Sequence, residues 1–272
     1  MTQIIQKLTI LLVLLVSGFL QAQDFQGVAY YQTKRNFEIK MDSTSGIPDA
    51  QQKAFQEMLK KQFEKTYILT FDREKSIYKE EAKLNEPVTS GNVQITIGNS
   101  NDLLFKNIKT KTYVDSKEEF GKRFLVVDSL ENMNWKQEKE TKMIGKYLCL
   151  KATRIKMVDD YEGMKKKEKQ KELHITAWYT PEIPVGNGPE KYHGLPGLIL
   201  ELHEGKMHYV CSKLVLNPKE KKEIVAPTKG KKVSQKKYEE IMEKKSKEMM
   251  ENFKNTRKKK GNTSSFQIIV GG

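Results

Sequence analysis

The strongest constraint on this chain is a series of short segments rich in Val, Ile, Tyr, Phe and Thr, joined by polar turns with no helical pattern in the gaps. Strands linked in this way pair with their neighbours as an antiparallel meander, not as βαβ units. The segments read as strands over 25–39, 66–71, 76–80, 103–114, 122–130, 142–158 and 171–179. A further pair, 197–203 and 206–216, reads as a hairpin turning at Glu204-Gly205, and 266–270 reads as a closing strand. Residues 43–46 and 86–99 read as polar loops. Asp159-Asp160 and the polar stretch 161–170 read as an exposed connection.

Two stretches carry helical spacing instead. Pro48 and Asp49 suit a first turn, and Ala54, Phe55, Met58, Leu59 and Phe63 then form one apolar stripe over 48–64. Ser234 is placed to cap a second helix over 234–257, with Tyr238, Ile241, Met242, Met249, Met250 and Phe253 near one face. The expected fold is mainly β (α+β): one domain over 23–272, a curved antiparallel sheet with two or so peripheral helices. The Lys-rich helix at about 230–260 reads as an elaboration of that domain.

The N-terminus reads as a signal peptide over 1–22. Lys7 is the only charge before Asp24, an apolar run follows from Leu8 to Val16, and small Ala22 precedes the expected cut. That run is too short to cross a bilayer, which takes about 20 apolar residues. The residue directly after the expected cut is Gln23 and not Cys, which argues against a lipid anchor. The expected location is therefore the periplasm, the cell surface or the exterior.

The formal net charge of +14 raises the question of nucleic acid. Export argues against it, because an exported protein rarely meets nucleic acid. Tracts such as Lys165-Lys166-Lys167 and Lys258-Lys259-Lys260 read first as solvated faces, and second as contacts for an anionic membrane surface or an acidic partner. In an oxidising compartment Cys149 and Cys211 fit either a disulfide or two buried thiols.

Familiar chemistry is sparse. There is no Gly-x-Ser-x-Gly elbow, Walker loop, dinucleotide fingerprint or Cys-x-x-Cys, and no cofactor is expected. His203 and His208 are five residues apart, the wrong spacing for one face of a helix. In a hairpin turning at Gly205 they would face each other about 5 Å apart, within reach of one metal ion. A metal site needs three or four ligands, and His174 and His193 are the candidates to complete it.

The informative stretch is Trp178-Tyr179-Thr180-Pro181-Glu182-Ile183-Pro184, then Gly188-Pro189, Tyr192 and Gly194-Leu195-Pro196-Gly197-Leu198-Ile199. Pro196-Gly197 is a strong turn dipeptide, and Pro184, Gly188 and Pro189 stiffen the approach to it. A rigid loop thus feeds an apolar strand, either as a corner of the sheet or as a contact for a ligand. These residues, with Ile144-Gly145-Lys146-Tyr147-Leu148-Cys149 upstream, resemble the GLPGLI family, whose name is the hexapeptide at 194–199. The resemblance implies a secreted bacterial protein with a bowl-like β domain, and it transfers no catalytic residue.

The expected function is a noncatalytic binding or accessory module of the cell envelope, its partner a small ligand or an envelope protein. An envelope hydrolase acting on glycan or peptide is the alternative from the enzyme class, because carboxylate catalysis leaves no local signature. A metal-binding periplasmic protein is the third.

Overall fold

The hydrophobic alternation of the strands is met by pairing along most of the described residues. A computed structural model describes residues 25–35, 64–82, 88–90, 93–95, 101–162 and 165–259. Among them the chain forms β1 (Gly27–Arg35), β2 (Thr66–Phe71), β3 (Lys75–Glu80), β4 (Val88–Ser90), β5 (Val93–Ile95), β6 (Leu103–Asn107) and β7 (Thr112–Glu119). There follow β8 (Lys122–Ser129), β9 (Lys136–Ile144), β10 (Tyr147–Glu162), β11 (Lys165–Thr180), β12 (Leu198–Glu204), β13 (Met207–Leu216), β14 (Lys231–Val233) and the helix α1 (Gln235–Lys259). Twelve strands make one sheet in the order β14-β8-β7-β6-β3-β2-β1-β13-β12-β11-β10-β9, while β4 and β5 pair apart from it. The fold is mainly β, as expected.

Several boundaries differ from the sequence reading, each for a local reason. Residues 103–114 are not one strand. The Asn107 side chain accepts the amides of Lys109 and Thr110, which turns the chain and separates β6 from β7. Residues 142–158 likewise divide at Gly145-Lys146, where Ile144 pairs with Tyr147. The expected exposed connection around Asp159 and 161–170 is mostly strand. β10 and β11 stay paired as far as Glu162 and Lys165, which makes a hairpin of two 16-residue strands. The sheet is mixed and not purely antiparallel, since β14 runs parallel to β8.

One helix, not two, lies among the described residues. Ser234 caps it as expected, its hydroxyl accepting the Lys237 amide at 3.2 Å, and Tyr238 docks it edge-on against Phe124 of β8. The expected helix at 48–64, the strand at 266–270 and the signal segment lie outside the described residues.

The two thiols are free in this structure. β10 and β13 are separated by β11 and β12, so Cys149 and Cys211 stand three strand spacings apart, about 14 Å along the sheet. A disulfide tolerates no more than about 7 Å between Cα atoms.

The sheet is strongly curled. Asp115 on β7 and Arg154 on β10 line one hollow, although eight strand steps separate their strands in the sheet. Laid flat, those steps would span about 38 Å. Register shifts at Tyr30/Tyr31, Leu150/Ala152, Trp178/Tyr179 and Asp159/Tyr161 are where strands can bend sharply. The core includes Tyr31, Leu69, Phe71, Ala177, Leu198, Ile199 and Leu202, all buried.

The segment between β11 and β12 is seated directly on backbone. A Cβ added at Gly197 would lie 2.1 Å from the Thr180 carbonyl oxygen and 2.9 Å from the Pro181 nitrogen. Neither atom is a side chain that can swing away. Gly197→Ala is expected to cost about 3 kcal/mol in denaturant unfolding. A loss below about 1 kcal/mol would mean that the loop is not held against Thr180 as described.

Candidate functional site

The Gly- and Pro-rich motif forms a loop laid across the inner face of the curled sheet, and its own backbone bonds make it rigid. Leu198 N donates to Ile183 O at 3.0 Å, Gly194 N to Gly186 O at 3.0 Å, and Ile199 N to Asn187 O at 3.0 Å. A Cβ at Gly186 would approach the Leu195 carbonyl oxygen to 2.7 Å, so the two arms of the loop close only over a glycine. Within the hexapeptide Leu195, Leu198 and Ile199 are buried, while Gly194 and Pro196 face outward. Of the flanking residues, Tyr179 and Pro189 are buried and Pro184 is exposed. Trp178 carries Lys142 over its ring at 4.4 Å. The hexapeptide is thus the seat of the loop, and the polar groups at the loop's tip are Glu190, Lys191 and Tyr192.

Three side chains of the sheet and its connections hold the loop and the start of β12. Lys106 on β6 is completely buried and donates its ammonium to Gly188 O at 2.7 Å and Tyr192 O at 3.2 Å. Tyr31 donates to Ile199 O at 2.6 Å, and Trp135 Nε1 to His193 O at 2.8 Å. Burial pushes the Lys106 ammonium down to about 7, against the pull of the Glu190 carboxylate. The two carbonyls that flank the tip are therefore bonded to one desolvated amine.

Between the tip, β7, β8, β10, β12, β13 and α1 lies a cleft of about 550 Å³, within the range of small-molecule sites. Most charged groups on its wall are engaged. Asp115 sits 3.6 Å from Lys117 and 3.9 Å from Lys191, and Arg154 meets Glu131 at 2.8 Å. Asp128 accepts the Ser129 and Gln235 amides, Glu239 accepts from the Gln235 side chain, and Glu204 lies beside the Tyr192 hydroxyl and raises its pKa. Lys191 also reaches Gln235 at 3.2 Å and covers the Tyr113 ring at 3.9 Å. Two lining groups of opposite sign have no hydrogen bond or ion pair among the described residues: Glu190 at the tip and Lys156 on β10.

Glu190 is the most perturbed acid of the cleft. It is half-buried, opening to the hollow, with a backbone φ of 49° that non-glycine residues seldom adopt. Burial pushes its carboxyl up to about 7. The Asp115 and Glu204 charges add to the shift, and Lys117 and Lys106 oppose it. Burial also raises Asp115, with Lys117 and Lys191 pulling it back. An acid that is part-protonated near neutrality thus shares the cleft with a carboxylate flanked by two lysines. The sequence reading singled out Gly188, Pro189 and Tyr192 but passed over Glu190 and Asp115, because neither sits in a recognisable spacing.

The histidine pair lies elsewhere. His203 and His208 do face each other across β12 and β13, but their rings stack at 4.2 Å instead of aiming nitrogens at one point. His203 Nε2 is bonded to Glu201 at 2.8 Å, and Glu201 to Lys142 at 2.6 Å. His174 pairs with Glu172 at 3.5 Å, and His193 is buried in the loop with its Nδ1 on Lys191 O. Among the described residues no three His, Cys, Asp or Glu side chains gather where a metal ion could be held.

The cleft predicts a distinctive stability profile. Glu190 has a folded-state value near 7 against an ordinary 4.5, so folding favours its protonated form. The native state then carries the full benefit below pH 4.5 and loses it as pH rises to about 7. Glu190→Gln removes this loss. The variant is expected to be more stable than the parent at pH 8 by roughly 2 kcal/mol, with the gap closing toward pH 4. Equal stabilities at both pH values in chemical denaturation would refute the buried placement of this carboxyl.

A family model described as "Protein of unknown function (Porph_ging)" matches residues 135–201, the stretch from Trp135 through β9, β10, β11 and the loop into β12. The GLPGLI name read from the hexapeptide is not part of that description. No curated protein matches the chain. Two solved structures of PNGF-II, in C2 and P21 space groups, are similar at 14% identity, with TM-scores of 0.48 and 0.49. They cover 79% and 80% of this chain but 32% and 33% of their own, so this chain spans about a third of the PNGF-II length.

Proposed function

We propose that this chain is an exported, noncatalytic binding module of the bacterial cell envelope that holds a small polar ligand in the cleft beneath its loop. The observation that carries the reading is the Glu190 carboxyl, held unpaired at the tip of a loop that every other contact makes rigid. A protein gains no stability from keeping such an acid partly desolvated, so its retention suits a site prepared for a ligand. Export rests on Lys7, the apolar run from Leu8 to Val16 and the small residue at 22. Native mass spectrometry of protein purified gently from its own envelope tests this function. The expected result is a fixed extra mass of small-molecule size that is lost in Glu190→Ala. A bare monomer for both proteins would count against it.

A second reading, a hydrolase acting on glycan or peptide, draws on Asp115 and Glu190 sharing one cleft with both carboxyls pushed upward. Glu190 would donate a proton to the leaving group while Asp115 takes one from water. On this reading Glu190→Gln should lower hydrolysis of a responsive substrate by about 100-fold or more while the fold is kept. Unchanged turnover in the variant would remove it.

A further inference from the structure

We infer that the cleft recognises a zwitterion, an amino acid or short peptide with free ends, whose ammonium pairs with Glu190 and whose carboxylate pairs with Lys156. This deepens the binding reading above and rests on it. The inference comes from the charges the cleft leaves over. The other charged groups on its wall have ion pairs or hydrogen bonds, or in the case of Glu204 the Tyr192 hydroxyl beside it, while Glu190 and the exposed Lys156 have neither. The two leftover groups are opposite in sign and stand on separate elements, one on the loop tip and one on β10. A ligand that satisfies both must bring a cation and an anion at its two ends.

The cations nearest Glu190 do not substitute for the ligand's ammonium. Lys106 spends its protons on the carbonyls of Gly188 and Tyr192, and Lys117 and Lys191 flank Asp115. A neutral polyol would offer Glu190 a hydroxyl but would leave Lys156 with no counter-charge. An anionic ligand would satisfy Lys156 but would bring no cation to Glu190. In size, about three extended residues reach roughly 10 Å, which suits a cleft of about 550 Å³.

Binding is expected to be linked to proton release. The free carboxyl faces Asp115 and Lys117 on β7, Lys106 on β6 and Glu204 on β12, and it bears on Tyr67, Tyr78 and Tyr209. Their balance with burial leaves Glu190 largely protonated at pH 6.5. An arriving ammonium favours the carboxylate and expels that proton.

Isothermal titration calorimetry of the mature protein at pH 6.5, in phosphate and in an amine buffer, tests the inference. The probes are trialanine, N-acetyl-trialanine, trialanine amide, free alanine and maltotriose. Trialanine is expected to bind once per chain, with a heat that differs between the buffers. Acetylating its amino end should weaken binding at least tenfold, and amidating its carboxyl end should weaken it several-fold. Glu190→Gln should lose tenfold or more together with the buffer dependence, and Lys156→Gln should match the amide effect on unmodified trialanine. Free alanine binding as tightly as trialanine would identify an amino acid ligand, and weaker binding a peptide; either supports the inference. N-acetyl-trialanine binding as well as trialanine overturns it, as does an unaffected Glu190→Gln. Binding of maltotriose alone also overturns it, while leaving the cleft as a ligand site. Silence from every probe overturns it and the binding reading together.

Discussion

The buried ammonium of Lys106 ties the two halves of this structure together. A lysine removed from water is costly unless its protons are taken up, and here the acceptors are two backbone carbonyls of one loop, Gly188 O and Tyr192 O. The bond ties β6, four positions in from one end of the sheet, to the loop between β11 and β12 near the other end. It is satisfied only when the sheet is curled and the loop lies inside the curl. Trp135 adds a bond to the loop at His193 O and Tyr31 of β1 one to Ile199 O just after the loop enters β12, so the loop and its exit are held from β1, from β6 and from the segment before β9.

That anchoring explains why the conspicuous residues and the chemically poised ones are different. The hexapeptide supplies turns, close backbone approaches and three buried apolar side chains, all of which serve to seat the loop. The loop's tip then projects Glu190 and Lys191 into a cleft whose opposite walls come from β7 and β10. Burial raises Glu190 because the tip is held too tightly to carry the acid out to bulk water. The outer-face chain of Lys142, Glu201, His203 and His208 is by contrast internally paired, with Trp178 beside it under Lys142.

Much of the architecture was legible in the sequence. The β12–β13 hairpin, turning at Gly205-Lys206 one residue beyond the expected place, the strand at 122–130, the Ser234 cap and the cross-strand meeting of His203 with His208 all follow from local periodicity and turn chemistry. The misread boundaries share one cause. Asn107 and Gly145 turn the chain inside runs that look continuous, because a single side-chain-to-backbone bond or one positive φ leaves the hydrophobic pattern intact. The polar stretch after Asp159 was misread in the opposite sense. Pairing in a long two-stranded ribbon is carried by backbone bonds, which polar side chains do not advertise.

The sequence by itself determined the strand-rich class, the rigid loop and the capped helix, since each depends on residues within a few positions of one another. The tertiary structure alone decided the curl, the free thiols, the parallel pairing of β14 and the cleft. Glu190 stands in the sequence as an ordinary acid between Pro189 and Lys191. Its shifted ionisation comes first from burial, with Asp115 and Glu204 adding to it and Lys117 and Lys106 opposing it, on three strands brought together only by folding. Charge interactions and burial act through space over a few ångströms, so no spacing along the chain can encode them.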